Sequence, residues 1–286
     1  MRALVVLALI ANACGPCVEV ITVPEATAPV LGPKFAAPCV PTDGHPCSFN
    51  LPGAPDAQPA TLHRIVRFMA AGDTNTVGVI YPGTLGSYRT ALWSTATANG
   101  MLMDFIGDQA NGPGYSTTGG GTITLDGGLL DHGHEGFNYY AIEDWSSYYT
   151  RHQLARELRP DIVALNLGSY NVNQGGFNAT TEATAYAALV DQILSDCTGL
   201  SSLFGDCKII IVNVPPQSTG SYTTNAIAFN AQLATIAASR PRTVVVDLYT
   251  AVAPWGATNF YDAVNLNATG MAAWAPLMWS AMLRLF

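Results

Sequence analysis

The sequence predicts an α/β protein in three layers, with a doubly wound, mostly parallel five-stranded sheet between two layers of helices. Three observations carry this expectation. The segments Ile162-Val163-Ala164-Leu165, Ile209-Ile210-Ile211-Val212 and Val244-Val245-Val246 are apolar without alternation, the pattern of strands covered on both faces of a parallel sheet. Longer amphipathic stretches separate them, and repeated strand–helix alternation implies right-handed crossovers. With 49% hydrophobic and 11% charged residues over 286 positions, the chain can bury one large core and is excluded from the disordered class.

The elements follow in order. Arg2, an apolar run over 3–11 and the small-x-small pattern Ala11-Asn12-Ala13 predict a signal peptide over 1–13, and hence a secreted, extracellular protein. The run is shorter than the roughly 20 residues a membrane span needs. Cys14 directly after it offers a lipoprotein anchor as the alternative. Ten of the 18 prolines fall between Pro16 and Pro59, so 14–61 is expected to be a linker or surface wrap, because proline lacks the N–H and fixes φ. The folded domain is expected over 62–286. It comprises a strand at 65–70, a helix at 88–99, a second strand at 102–106 and a Gly-rich region over 107–136. A helix over 140–158 carries Ile142, Trp145 and Tyr149 on one face. Strands at 161–167, 208–214 and 244–248 alternate with helices at 182–194, 223–239 and 269–285.

Other signals bound the function. Cys14-Gly15-Pro16-Cys17 has redox-motif spacing but lies outside any strand–helix junction, which excludes that reading. Cys39 with Cys47, and Cys197 with Cys207, are close neighbours expected to form disulfides in an oxidising compartment. The formal charge of −8 disfavours nucleic acid and anionic membranes as partners, and no segment after the leader suits a stable membrane span. Asn178-Ala-Thr180 and Asn267-Ala-Thr269 are glycosylation triplets at a number chance supplies.

In open α/β sheets the working crevice lies beyond the carboxyl ends of the strands. There the chain presents Gly72-Asp73-Thr74, then Gly86-Ser87-Tyr88-Arg89, Asp104-Phe105-Ile106-Gly107 and His134-Glu135-Gly136. Pro160-Asp161 leads to Gly168-Ser169-Tyr170-Asn171; Pro215-Pro216 and Asp262-Ala263-Val264-Asn265 complete the series. In this order the blocks over 62–286 resemble the SGNH, or GDSL-type, hydrolases with their flavodoxin-like fold, most closely secreted carbohydrate esterases that deacetylate xylan.

The resemblance implies a serine nucleophile where this chain has Thr74, and a glycine oxyanion N–H where it has Tyr139. It implies an asparagine oxyanion donor at Tyr170 and a histidine base at Asn265; the acid partner, Asp262, is retained. All four residues that give the family its name are changed. Ester hydrolysis by this route needs an activated hydroxyl and donors aimed at the developing oxyanion. Asparagine cannot take and return a proton near neutral pH. Loss of the base alone costs on the order of 10⁶ in rate, and loss of one oxyanion donor about 10²–10³. A threonine methyl also crowds the attack path.

Simpler readings stand beside these. Asp73, Thr74 and Asn75 can cap a helix, and Asp262 can be a relic that hydrogen-bonds locally. Asp131, His132, His134 and Glu135 include zinc-like His-x-His spacing but lack a distant ligand, so no metal is expected, nor any cofactor. His134 is a candidate relocated base. In the aromatic stretch containing Phe137, Tyr139, Tyr140, Trp145, Tyr148 and Tyr149, helical spacing puts Trp145 and Tyr149 in the core. The expected function is a secreted pseudo-esterase that binds a polysaccharide or other glycan, or serves as a structural component. The alternative is an active carbohydrate esterase with a rearranged site built on Thr74.

Overall fold

The computed structural model describes residues 65–78, 86–107, 109–110, 133–199, 205–218 and 220–286. The expected leader, the Pro-rich stretch, the Cys39–Cys47 pair, Asp131 and His132 lie outside the described residues. Five parallel strands form the body of the sheet: β1 (Ile65–Gly72), β2 (Leu102–Ile106), β5 (Ile162–Asn166), β6 (Lys208–Val212) and β7 (Thr243–Val246). Their spatial order is β2-β1-β5-β6-β7, with Phe68 beside Phe105, Met69 beside Val163, Ala164 beside Ile210 and Ile210 beside Val244. The direction of winding therefore reverses between β1 and β5, which makes the gap beyond their carboxyl ends the topological switch point.

Two short strands were not expected and bring the sheet to seven. β4 (Gly133–Gly136) pairs with β1 at Ala71 and Gly72, beyond the residues that pair with β2, and β3 (Gln109–Ala110) lies antiparallel to β4. Strands this short carry no readable period in sequence.

Alternation along β1 builds the three layers. Met69 and Ala71 face Trp145, Tyr149, Tyr186 and Phe229 on one side, whereas Val66, Phe68 and Ala70 face Leu92, Trp274 and Met278 on the other. The first layer comes from α3 (Ile142–His152), α6 (Ala179–Asp196) and α7 (Gly220–Ala238), the second from α2 (Arg89–Ala98) and α9 (Ala268–Leu283). Trp145 and Tyr149 are fully buried, as their spacing predicts. Each large apolar side chain so buried contributes about 1.5–3 kcal/mol.

Several boundaries differ for local reasons. The expected helix over 140–158 breaks at Gln153, whose φ of 48° ends α3 before α4 (Leu154–Leu158). α6 starts early because the Asn178 side chain accepts the N–H groups of Thr180 and Thr181, and Asn267 caps α9 in the same way through Thr269 and Gly270. Both glycosylation triplets thus open with helix caps. β7 stops at Val246 because Asp247 caps the short α8 (Leu248–Val252) through Thr250 N–H. At the sheet edge, Val244 and Val245 are only partly buried, in contrast to the two-sided cover expected. Cys197, at the end of α6, is disulfide-bonded to Cys207 before β6.

Candidate functional site

The crevice begins at the turn after β1. A side chain at Gly72 would collide with the Asn166 carbonyl and the Thr76 hydroxyl, so only glycine lets β1 and β5 close together here. Asp73 then caps the four-residue α1 (Thr74–Val77) by accepting Asn75 N–H at 3.1 Å. The cap is thus Asp73 rather than Thr74. Thr74 is nearly buried, and its Oγ1 accepts the backbone N–H of Tyr139 at 3.1 Å. Burial raises the Asp73 carboxyl to about 6, the nearby Ser169 hydroxyl offsetting only part of the desolvation.

Tyr139 follows β4 in the left-handed region, with φ 61°. A non-glycine residue there costs about 1–2 kcal/mol, and it sits at the position where the resemblance expects glycine. The Tyr139 backbone N–H is aimed at Thr74. Nor do the two tyrosines fill the crevice. Tyr139 is 61% exposed and Tyr170 38%, and their rings meet edge to face at 6.5 Å between centroids. They stand as an aromatic pair at the mouth.

Tyr170 is carried by α5 (Ser169–Val172), immediately after Gly168, whose φ of 112° and close approach to the Phe229 ring both require glycine. Its neighbour Asn171 anchors this turn: Oδ1 accepts Ile142 N–H at 3.1 Å, and Nδ2 donates to Glu143 at 3.2 Å and Glu182 at 2.7 Å. Partial burial and the adjacent Glu143 carboxyl hold Glu182 above the usual carboxylate range.

On the opposite wall, Asp262 and Asn265 form a closed unit. Asp262 Oδ1 accepts the N–H groups of Val264 at 2.9 Å and Asn265 at 2.8 Å, and its Oδ2 accepts Asn265 Nδ2 at 2.8 Å. Asn265 therefore makes to Asp262 the bond that an imidazole N–H would make. Its Oδ1 is buried without a hydrogen-bond partner among the described residues, and an amide takes up no proton there. Asn75, which sequence reading treated only as a possible cap, ties this wall to the first. Its Oδ1 accepts Leu266 N–H at 2.9 Å and its Nδ2 donates to the Val264 carbonyl at 3.3 Å. The available signal was an amide next to Thr74, a residue type able to bond two strands of backbone at once.

His134 lies beneath this arrangement. It is 1% exposed, its Nδ1 accepts Gly136 N–H at 3.0 Å and its Nε2 has no hydrogen-bond partner among the described residues. Burial, aided by the positive charge of the buried Arg89, lowers it to about 2. His134 is therefore neutral and poorly basic at neutral pH, and among the described residues the Thr74 hydroxyl is bonded to Tyr139 N–H, with no bond to His134. Among the described residues no three His, Cys, Asp or Glu side chains gather as a metal site, and no helix is long and apolar enough to cross a membrane.

No protein-family model matches the chain, and no curated protein matches it by sequence. Solved structures do. A family 3 carbohydrate esterase of Clostridium thermocellum superposes with a TM-score of 0.60 at 23% identity, covering 78% of this chain and 98% of that one. A family 3 carbohydrate esterase from Talaromyces cellulolyticus gives 0.60 at 19%, covering 77% and 97%. The acetyl xylan esterase AlAXEase gives 0.52 at 17%, covering 76% and 99%. The three-layer fold is that of these SGNH-type hydrolases.

Proposed function

We propose that this chain, built on the fold of the family 3 carbohydrate esterases, is a secreted protein that no longer hydrolyses esters and uses the crevice to hold a glycan or to serve as a structural component. The observation that carries the loss of catalysis is the Asp262–Asn265 unit. The acid is present and correctly engaged, yet its partner is an amide that cannot relay a proton. Support for a glycan comes from the exposed Tyr139–Tyr170 pair. Flat aromatic faces with polar tips suit the mixed surface of a sugar ring.

A second reading, an active carbohydrate esterase built on Thr74, is favoured by the Tyr139 N–H that remains against Thr74 Oγ1. It lacks a base. Purified protein is to be assayed on p-nitrophenyl acetate and acetylated xylan beside Thr74→Ala. The first reading expects the same background rate from both. Turnover abolished by Thr74→Ala would overturn it in favour of the second.

A further inference from the structure

A second recess, of about 500 Å³, opens beyond β6 and β7. Trp255 lines it and is 41% exposed, although its indole N–H donates to the Asp262 carbonyl at 3.1 Å. That bond fixes the ring plane while leaving the ring open to solvent, so stacking on it requires little further ordering.

The surrounding wall is held by internal bonds. Gln217 is 2% exposed; its Oε1 accepts Asn173 Nδ2 at 2.9 Å and its Nε2 donates to the Pro215 carbonyl at 2.8 Å. The Thr223 hydroxyl is engaged by the Gln217 carbonyl at 2.7 Å. The hydroxyls of Ser218 and Tyr249 also line the recess, and neither has a partner among the described residues. None of the described lining residues is charged. A fixed aromatic face beside neutral hydroxyls, with no cation for an anion and no anion for a cation, matches the apolar C–H face and hydroxyl rim of an uncharged sugar.

Hydrogen bonds tie the wall of the recess to the loops of the crevice. Asn173 donates both to the Ser169 carbonyl, on the turn that carries Tyr170, and to Gln217. Ser218 N–H donates to the Ala263 carbonyl at 3.1 Å, within the Asp262–Asn265 loop. We propose that the Trp255 recess is a second sugar subsite, which takes one uncharged pyranose of a polysaccharide whose preceding units lie along Tyr139 and Tyr170. This deepens the glycan reading above and rests on it.

The test is a titration of the full-length protein with xylohexaose, cellohexaose and the anionic hexagalacturonate, followed by calorimetry and tryptophan fluorescence. Of the five tryptophans, Trp145 and Trp274 are fully buried and Trp93 and Trp279 pack partly buried against the α2–α9 layer, so the emission change is assigned to Trp255, which lines the recess, by its loss in Trp255→Ala. A neutral hexasaccharide is expected to bind and to perturb the emission. Trp255→Ala is expected to weaken it about tenfold and abolish the emission change, while Trp255→Phe, which keeps a ring, recovers most of the affinity by calorimetry. Trp255→Ala binding as tightly as wild type, with Tyr139→Ala/Tyr170→Ala weakened, would overturn the subsite and leave the glycan reading standing. Tighter binding of hexagalacturonate would overturn the uncharged class. No binding by wild type would overturn both.

Discussion

Asp262→Ala separates the structural from the catalytic meaning of the retained acid. Among the contacts of the carboxylate are hydrogen bonds from Val264 N–H, Asn265 N–H and Asn265 Nδ2. Asn265 is 5% exposed, so its stranded amide has little access to water; losing a charged partner there costs about 1.5 kcal/mol. The two backbone N–H groups are partly open to solvent and add about 0.5–1 kcal/mol each. Together the substitution is expected to destabilise the fold by about 3 kcal/mol, or about 6–12 °C in Tm for a domain of this size. Asp262→Asn retains one acceptor oxygen but turns an amide NH₂ towards that of Asn265, and is expected to cost about half as much. Urea and thermal unfolding measure both. A loss below about 0.5 kcal/mol for Asp262→Ala would refute the argument that loop architecture maintains this residue.

Asp73 is raised to about 6 in the folded state, so its proton is held more tightly folded than unfolded. That stabilisation is complete at low pH and lost as pH rises through 6. Asp73→Asn keeps the cap and should gain on wild type by about 2.4 kcal/mol between pH 4 and pH 7; a pH-independent difference in unfolding scans would contradict this. Comparing the two proteins at each pH cancels His134, whose lowered value works the other way by removing stability as pH falls below the usual histidine range. Thr74→Ser/Asn265→His places an imidazole on Asp262 and a hydroxyl beside Tyr139 N–H, and should raise p-nitrophenyl acetate hydrolysis at least about 10²-fold; an unchanged rate would show that these two side chains do not suffice for hydrolysis. Reducing Cys197–Cys207, which closes a loop with a sequence separation of 10, should cost about 3 kcal/mol, read as a Tm difference with and without reductant.

The sheet was legible because its central strands are apolar on both faces, which leaves one packing solution. The broken helix was not: Gln153 is an ordinary helix-forming residue, and only its backbone conformation divides α3 from α4. At the crevice, sequence located Thr74, Tyr139, Tyr170, Asp262 and Asn265 through the blocks around them. How the tyrosines act was not legible, because side-chain identity reveals neither ring direction nor where a main-chain N–H points. Asn75 escaped notice for a related reason. Its contribution is a pair of bonds to Val264 and Leu266, nearly 190 positions away, and no local pattern marks such a tie.

The left-handed Tyr139 N–H carries a consequence for how function decays and returns. A group belonging to the main chain is inherited with the fold and is not erased by changing the residue that bears it. Reactive side chains can be lost singly while the polar frame built around them persists. Under the proposed loss of hydrolysis, the main-chain donors of such a crevice outlast its reactive side chains.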